Sequence, residues 1–172
     1  TTWSHRNLLG NAEQLNLSAG GAGLGNASAG LSYNLTAQYV QPLFLRQDQV
    51  LEISASGVKQ QLDAYDQTAQ TLAGFVRRKF SPLWSGSAGL SYTHDLIAQQ
   101  GASRLYDLVA APVTVTYNST GLGDVLSDPV TGLRAALSLS PTHAFGGSGV
   151  SFLLAQASAA TYFDIGGDGR SV

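Results

Sequence analysis

Three histidines, His5, His94 and His143, are the side chains of this 172-residue chain best suited to proton transfer or metal ligation. They lie far apart, and none stands in a spacing such as His-x-x-x-His that would put two ligands on one face. There is no cysteine, which excludes disulfides, thiolate metal sites and a cysteine nucleophile. His94-Asp95 resembles half of a catalytic dyad, but no Gly-x-Ser-x-Gly accompanies it, and serine is too frequent to single one out. The glycine-rich stretch Gly20 to Gly25 fails the Gly-x-Gly-x-x-Gly spacing and has no helix behind it, so it reads as a turn. Asp164-x-x-x-Asp168-Gly169 has too few ligands for a calcium loop and lacks the closing glutamate. Arg77-Arg78-Lys79, the one basic run, ends a strand beside Pro82 and meets water or lipid headgroups. The sequons at Asn16, Asn26, Asn34 and Asn118 are what a chain rich in Asn, Ser and Thr yields by chance. The expectation is a protein with no catalytic, cofactor-binding or metal-binding residues, and no enzyme.

The elements that carry these residues repeat one pattern, alternation with period two. Leu15, Leu17 and Ala19 alternate with Asn16, Ser18 and Gly20. Ala29, Leu31, Tyr33, Leu35, Ala37 and Tyr39 alternate with Gly30, Ser32, Asn34, Thr36 and Gln38. The pattern returns at Leu51, Ile53 and Ala55, at Ala88, Leu90 and Tyr92, at Val109 to Tyr117, at Leu133 to Leu139, and at Val150, Phe152 and Leu154. Segment 67–80 also suits a short helix through Leu72, Phe75, Val76 and Phe80, but its neighbours make it a strand. Turn signals such as Arg46-Gln47-Asp48, Ser81-Pro82 and Gly146-Gly147 separate about eight strands. Pro112 cannot donate to a ladder and predicts a bulge or an edge. With no fixed-length repeat and no linker, residues 1–172 read as a single domain.

The composition decides what the strands face. Only 12 % of residues are charged against roughly 25 % in soluble domains, while 44 % are hydrophobic. The face opposite the apolar one carries Ser, Thr, Gly, Asn, Gln and Ala, where a soluble sandwich would carry Lys, Glu, Arg and Asp. No run approaches the roughly 18 apolar residues of a membrane-spanning helix. A transmembrane β-barrel explains the pattern, with the apolar face toward lipid and the small polar face toward a lumen. Tyr33, Tyr39, Tyr92 and Tyr117 on the apolar faces, with Tyr162 near a strand end, would form aromatic girdles. Of the mid-strand charges, Glu52 and Arg134 fall on the small polar face, whereas Asp95 and Asp107 are placed off it, near strand ends. The expected fold is all-β, an antiparallel transmembrane β-barrel, here a partial barrel of about eight strands. A net charge of -2 gives no footprint for nucleic acid. A soluble β-sandwich adhesin is the competing class.

Several segments resemble a known family. Arg6-Asn7-Leu8-Leu9-Gly10-Asn11-Ala12-Glu13 running into Leu15-Asn16-Leu17 is similar to a strand-turn-strand signature of the BamA/TamA superfamily of outer-membrane assembly proteins. Tyr33 to Pro42 followed by Phe44-Leu45-Arg46 resembles the next hairpin, and Asp128-Pro129-x-x-Gly132-Leu133-Arg134 the start of a later strand. Gly167 to Val172 resembles the beginning of one more. The likeness is nearer the TamA branch. It implies a bacterial outer-membrane location, lipid as surroundings, and client outer-membrane or autotransporter proteins. It also implies a partner that is anchored in the inner membrane and spans the periplasm. The implied function is protein insertion or translocation through a barrel seam. On the same resemblance residues 1–172 are one barrel segment, with POTRA domains and C-terminal strands expected outside it. A small stand-alone outer-membrane barrel acting as an anchor or narrow pore is the alternative.

Overall fold

A computed structural model describes residues 1–22, 32–62, 65–99, 102–121, 131–145 and 149–164. Among these residues ten strands form one sheet: β1 (Thr2–Arg6), β2 (Gln14–Ala22), β3 (Ser32–Pro42), β4 (Gln49–Leu62), β5 (Tyr65–Lys79), β6 (Trp84–Gln99), β7 (Ala102–Ala110), β8 (Val113–Asn118), β9 (Gly132–Phe145) and β10 (Val150–Tyr162). Sequential strands pair antiparallel, and β7 and β8 lie end to end between β6 and β9. No helix occurs among the described residues. Residues 67–79 of segment 67–80 are strand, in β5, as its neighbours required, and Phe80 follows the strand's last residue.

The register turns alternation into two chemically distinct faces. One row runs Leu17, Ala37, Ala55, Leu72, Tyr92, Val109 across six neighbouring strands. The row beside it, on the other face, runs Asn16, Gln38, Ser54, Ala73, Ser91, Ala110. A slip of one residue would exchange the faces, so the pattern pins the register. Exposure is the reverse of that in a soluble protein. Leu35, Leu72 and Leu90 on the apolar face are 53 %, 56 % and 64 % exposed, whereas the buried Ala73 lies on the polar face. In β9 the apolar Leu133, Leu137 and Leu139 are exposed while Arg134, Ala136 and Ser138 between them are partly covered. The shielded interior is the polar one.

Several expectations change. The extra strands beyond eight are β1, formed by residues 2–6, and the division of one span into β7 and β8. Pro112 makes neither a bulge nor an edge. Both sides of the break share one register with β6, Ala110 facing Ser91 and Val113 facing Ala88, so no residue is inserted. Gly89 N–H still donates to Pro112 O at 3.0 Å, and only the donor that proline lacks is missing from an interior ladder. Phe152 and Leu154 face Thr142 and Ser140 on the polar side, so the lipid-side residues of β10 are Leu153, Ala155 and Ala157. Asp95 shares the polar face with Ser91 and Thr93, and its carboxylate accepts from Gln67 Nε2 at 2.9 Å. Tyr162 also lies on that side, beside the guanidinium of Arg134 at 5.8 Å from its ring centroid, and belongs to no girdle. Gly20 and Gly21 belong to β2, while Gly23 to Gly25 lie outside the described residues, as do Asn26, Asp128-Pro129, Gly146-Gly147 and Gly167 to Val172.

Candidate functional site

The β1–β2 connection is the most specifically built local structure. Asn7, Gly10 and Ala12 have φ of 62°, 84° and 57°, so this connection winds through three left-handed residues. Glu13 is 1 % exposed, yet it is a carboxylate. It is satisfied by backbone donors: Leu9 N–H donates to Oε1 and Asn11 N–H to Oε2 at 2.8 Å. Asn7 closes the turn, its N–H donating to Glu13 O at 2.6 Å and its Oδ1 accepting from Ala12 N–H at 2.9 Å. The amide of Leu9 above all, with those of Glu13 and Asn11, holds the Glu13 carboxyl below its ordinary range against the opposing effect of burial. A charged residue inside a turn thus replaces the missing ladder.

A hydrogen-bonded chain crosses the polar face from this turn. Ser4 Oγ and Gln14 Nε2 donate to Asn16 Oδ1, each at 2.8 Å, and Asn16 Nδ2 donates to Gln38 Oε1 at 3.2 Å. Gln38 Nε2 then donates to Glu52 Oε1 at 2.8 Å, and Glu52 Oε2 pairs with Arg77 at 2.8 Å. Alternation splits the basic run: Arg77 points to the polar face, while Arg78 on the other side pairs with Asp48 at 2.7 Å and stacks against Phe80. The Arg78 hydrogen bond is the main reason the Asp48 carboxyl lies below its ordinary range. A ladder of neutral amides ending in one ion pair suits a wet, enclosed lumen, because each polar group finds a partner beside it.

The apolar face carries aromatic side chains toward both ends. Trp84 and Tyr117 pair with centroids 4.9 Å apart at one end. Tyr33 and Tyr92 lie toward the other end of the same face. The histidines do not converge. His5 lies beside Trp3 at 5.8 Å, and its Nδ1 is buried with no hydrogen-bond partner among the described residues. His143 Nδ1 contacts Ser151 Oγ at 2.7 Å. His94 engages Asp107 at 2.7 Å and leaves Asp95 on the opposite face, so the sequence pair is no dyad. The Asp107 contact was visible in principle, because His94 and Asp107 both sit in phase with the apolar residues of their strands. Asn16 and Asn34 face the polar side as strand residues, and Asn118 Oδ1 accepts from Thr120. No cluster of three or more His, Cys, Asp or Glu residues that could hold a metal occurs among the described residues. Asp168, part of the weak calcium pattern, lies outside them.

A sheet of long antiparallel strands that exposes leucine and shields amides is the wall of a transmembrane β-barrel. The Omp85 superfamily domain matches residues 7–172, and the chain belongs to that superfamily. Its members are outer-membrane β-barrel proteins of protein assembly and translocation, and they are not enzymes. No curated protein matches the chain.

Proposed function

We propose that these strands form part of an outer-membrane barrel that inserts or translocates client proteins, autotransporters and other barrel proteins among them. The superfamily match over residues 7–172 carries this reading. In the proposed mechanism an incoming strand pairs with free backbone groups at a barrel seam, and the bilayer is locally thinned there. The polar ladder from Ser4 to Arg77 gives β1–β5 a cross-linked inner surface that would keep this part of the wall stiff while a seam opens elsewhere. The scheme needs no covalent chemistry from any side chain. A partner anchored in the inner membrane and spanning the periplasm belongs to the same proposal.

The test is depletion of the complete gene product in its native host, followed by protease accessibility of surface-displayed autotransporter passengers and quantification of folded outer-membrane proteins. Loss of passenger display with normal lipid export supports the reading. Unchanged display and unchanged barrel levels would remove it and leave a passive anchor or pore.

A further inference from the structure

A polar cluster stands on the apolar face at the end away from the Asp48–Arg78 pair. Asp107 Oδ1 accepts from the Tyr92 hydroxyl at 2.6 Å and contacts His94 Nδ1 at 2.7 Å. Beside an ionised carboxylate the Nδ1 must carry its proton, since the carboxylate has none to give. Asp107 Oδ2 and His94 Nε2 have no protein partner among the described residues, and the two side chains are 25 % and 39 % exposed. The open atoms therefore face whatever surrounds the barrel. Across the next strand Asp107 lies opposite Phe145, so the cluster is bordered by an aromatic side chain.

Its depth follows from β6. Trp84 and His94 are on the same face of that strand, ten residues apart. At about 3.4 Å per residue they are about 34 Å apart along the strand. With a tilt of about 45° this is about 24 Å of height, matching the apolar band of about 25 Å. If the Trp84–Tyr117 pair marks one interface, the His94–Asp107 pair marks the other, at headgroup depth.

We propose that Tyr92, His94 and Asp107 form a seat for the primary ammonium of an ethanolamine phospholipid. This rests on the barrel reading, in which the apolar face meets lipid. Asp107 Oδ2 accepts an N–H of the ammonium, while Tyr92 and His94 fix the carboxylate through its other oxygen. His94 Nε2 accepts from the same ammonium when the ring is neutral and donates to the adjoining phosphate when it is protonated. A quaternary choline headgroup has no N–H to give, and a purely anionic headgroup is repelled by Asp107, so the chemistry selects a primary amine. A single carboxylate with one imidazole is too small a set for a metal, in keeping with the lack of any larger ligand group among the described residues.

The experiment uses the complete gene product in mixed micelles holding equal amounts of phosphatidylethanolamine and phosphatidylcholine, with retained lipid counted by native mass spectrometry. One charge-assisted hydrogen bond at a half-exposed site predicts about threefold to tenfold preference for phosphatidylethanolamine. Asp107→Asn should abolish the preference, and Asp95→Asn, on the opposite face, should keep it. Equal retention by the unaltered protein overturns the proposal without recourse to any variant, as does a preference that survives Asp107→Asn in folded protein. Flotation of the same protein with vesicles of either lipid separates the two levels. Protein that floats without preference refutes the seat alone, and protein that fails to float refutes the barrel reading and the seat together.

Discussion

Placing an arginine on each face of one strand gives opposite outcomes in a barrel wall and in a soluble sheet. Leu90 is 64 % exposed on the apolar face of β6, six residues from Trp84. At about 3.4 Å per residue and about 45° of tilt, it lies about 14 Å above that aromatic pair, near the middle of a band about 25 Å tall. An arginine facing lipid at this depth costs about 2–4 kcal/mol, or roughly 30-fold to 1000-fold in the folding equilibrium. Ser91, the next residue, faces the polar side between Ala73 and Ala110, whose small side chains leave room for a longer neighbour. Arginine there keeps its charge in the wet lumen, and a change within about 0.5 kcal/mol is expected. The assay is urea titration of the complete gene product folded into vesicles, read by its mobility before and after heating. Leu90→Arg should shift the midpoint strongly and Ser91→Arg only slightly. If the two shifts were equal, or if Ser91→Arg were the more harmful, the assignment of lipid and lumen faces would be wrong.

Two glycines on adjacent strands give a paired test of packing. A Cβ on Gly89 would overlap the Gly74 carbonyl oxygen and the Phe75 ring that lies over it, whereas a Cβ on Gly74 meets nothing within 4 Å. Gly89→Ala should therefore destabilise by about 1–3 kcal/mol, and Gly74→Ala should be neutral or stabilising by about 0.4–1 kcal/mol, both read by the same urea titration. Acid should loosen the β1–β2 turn. Because the folded Glu13 carboxyl lies below its unfolded value of about 4.3, its contribution is fully present above that pH and is lost as pH falls through the lowered folded value. Protection of the Leu9 and Asn11 amides, taken relative to the intrinsic exchange rate at each pH, should fall in that window, and Glu13→Gln should show low protection at every pH. Persistent protection of both amides in Glu13→Gln would show that the carboxylate does not hold the turn. Gly10, at φ 84°, should lose about 1–2 kcal/mol on replacement by alanine, measured by the same titration; an unchanged midpoint would show that the turn relaxes around it.

Much of the wall was legible because period-two alternation is a local property. Leu15 to Ala19, Leu51 to Ala55 and Leu133 to Leu139 declared strand and face together, and low charge declared that the apolar face does not meet water. Where alternation failed, the sequence misled. In β10 alternation picked Val150, Phe152 and Leu154 as the apolar face, but Leu153 between them is as apolar, and pairing with Thr142, Pro141 and Ser140 puts Leu153 on the lipid side instead. His94-Asp95 looked like a pair because neighbours in sequence invite pairing, yet neighbours in a strand point to opposite faces.

The sequence by itself determined an all-β chain with two faces of unlike polarity, no thiol chemistry and no charge for nucleic acid, since composition and periodicity need no partner strand to be read. Only tertiary structure decided which residues on different strands share a row. Glu13 became a buried turn anchor because the backbone folds its amides onto it. Glu52 met Arg77, and His94 and Tyr92 met Asp107, because antiparallel register brings together residues far apart in the chain. Contacts of that kind depend on pairing and depth, which no single segment encodes.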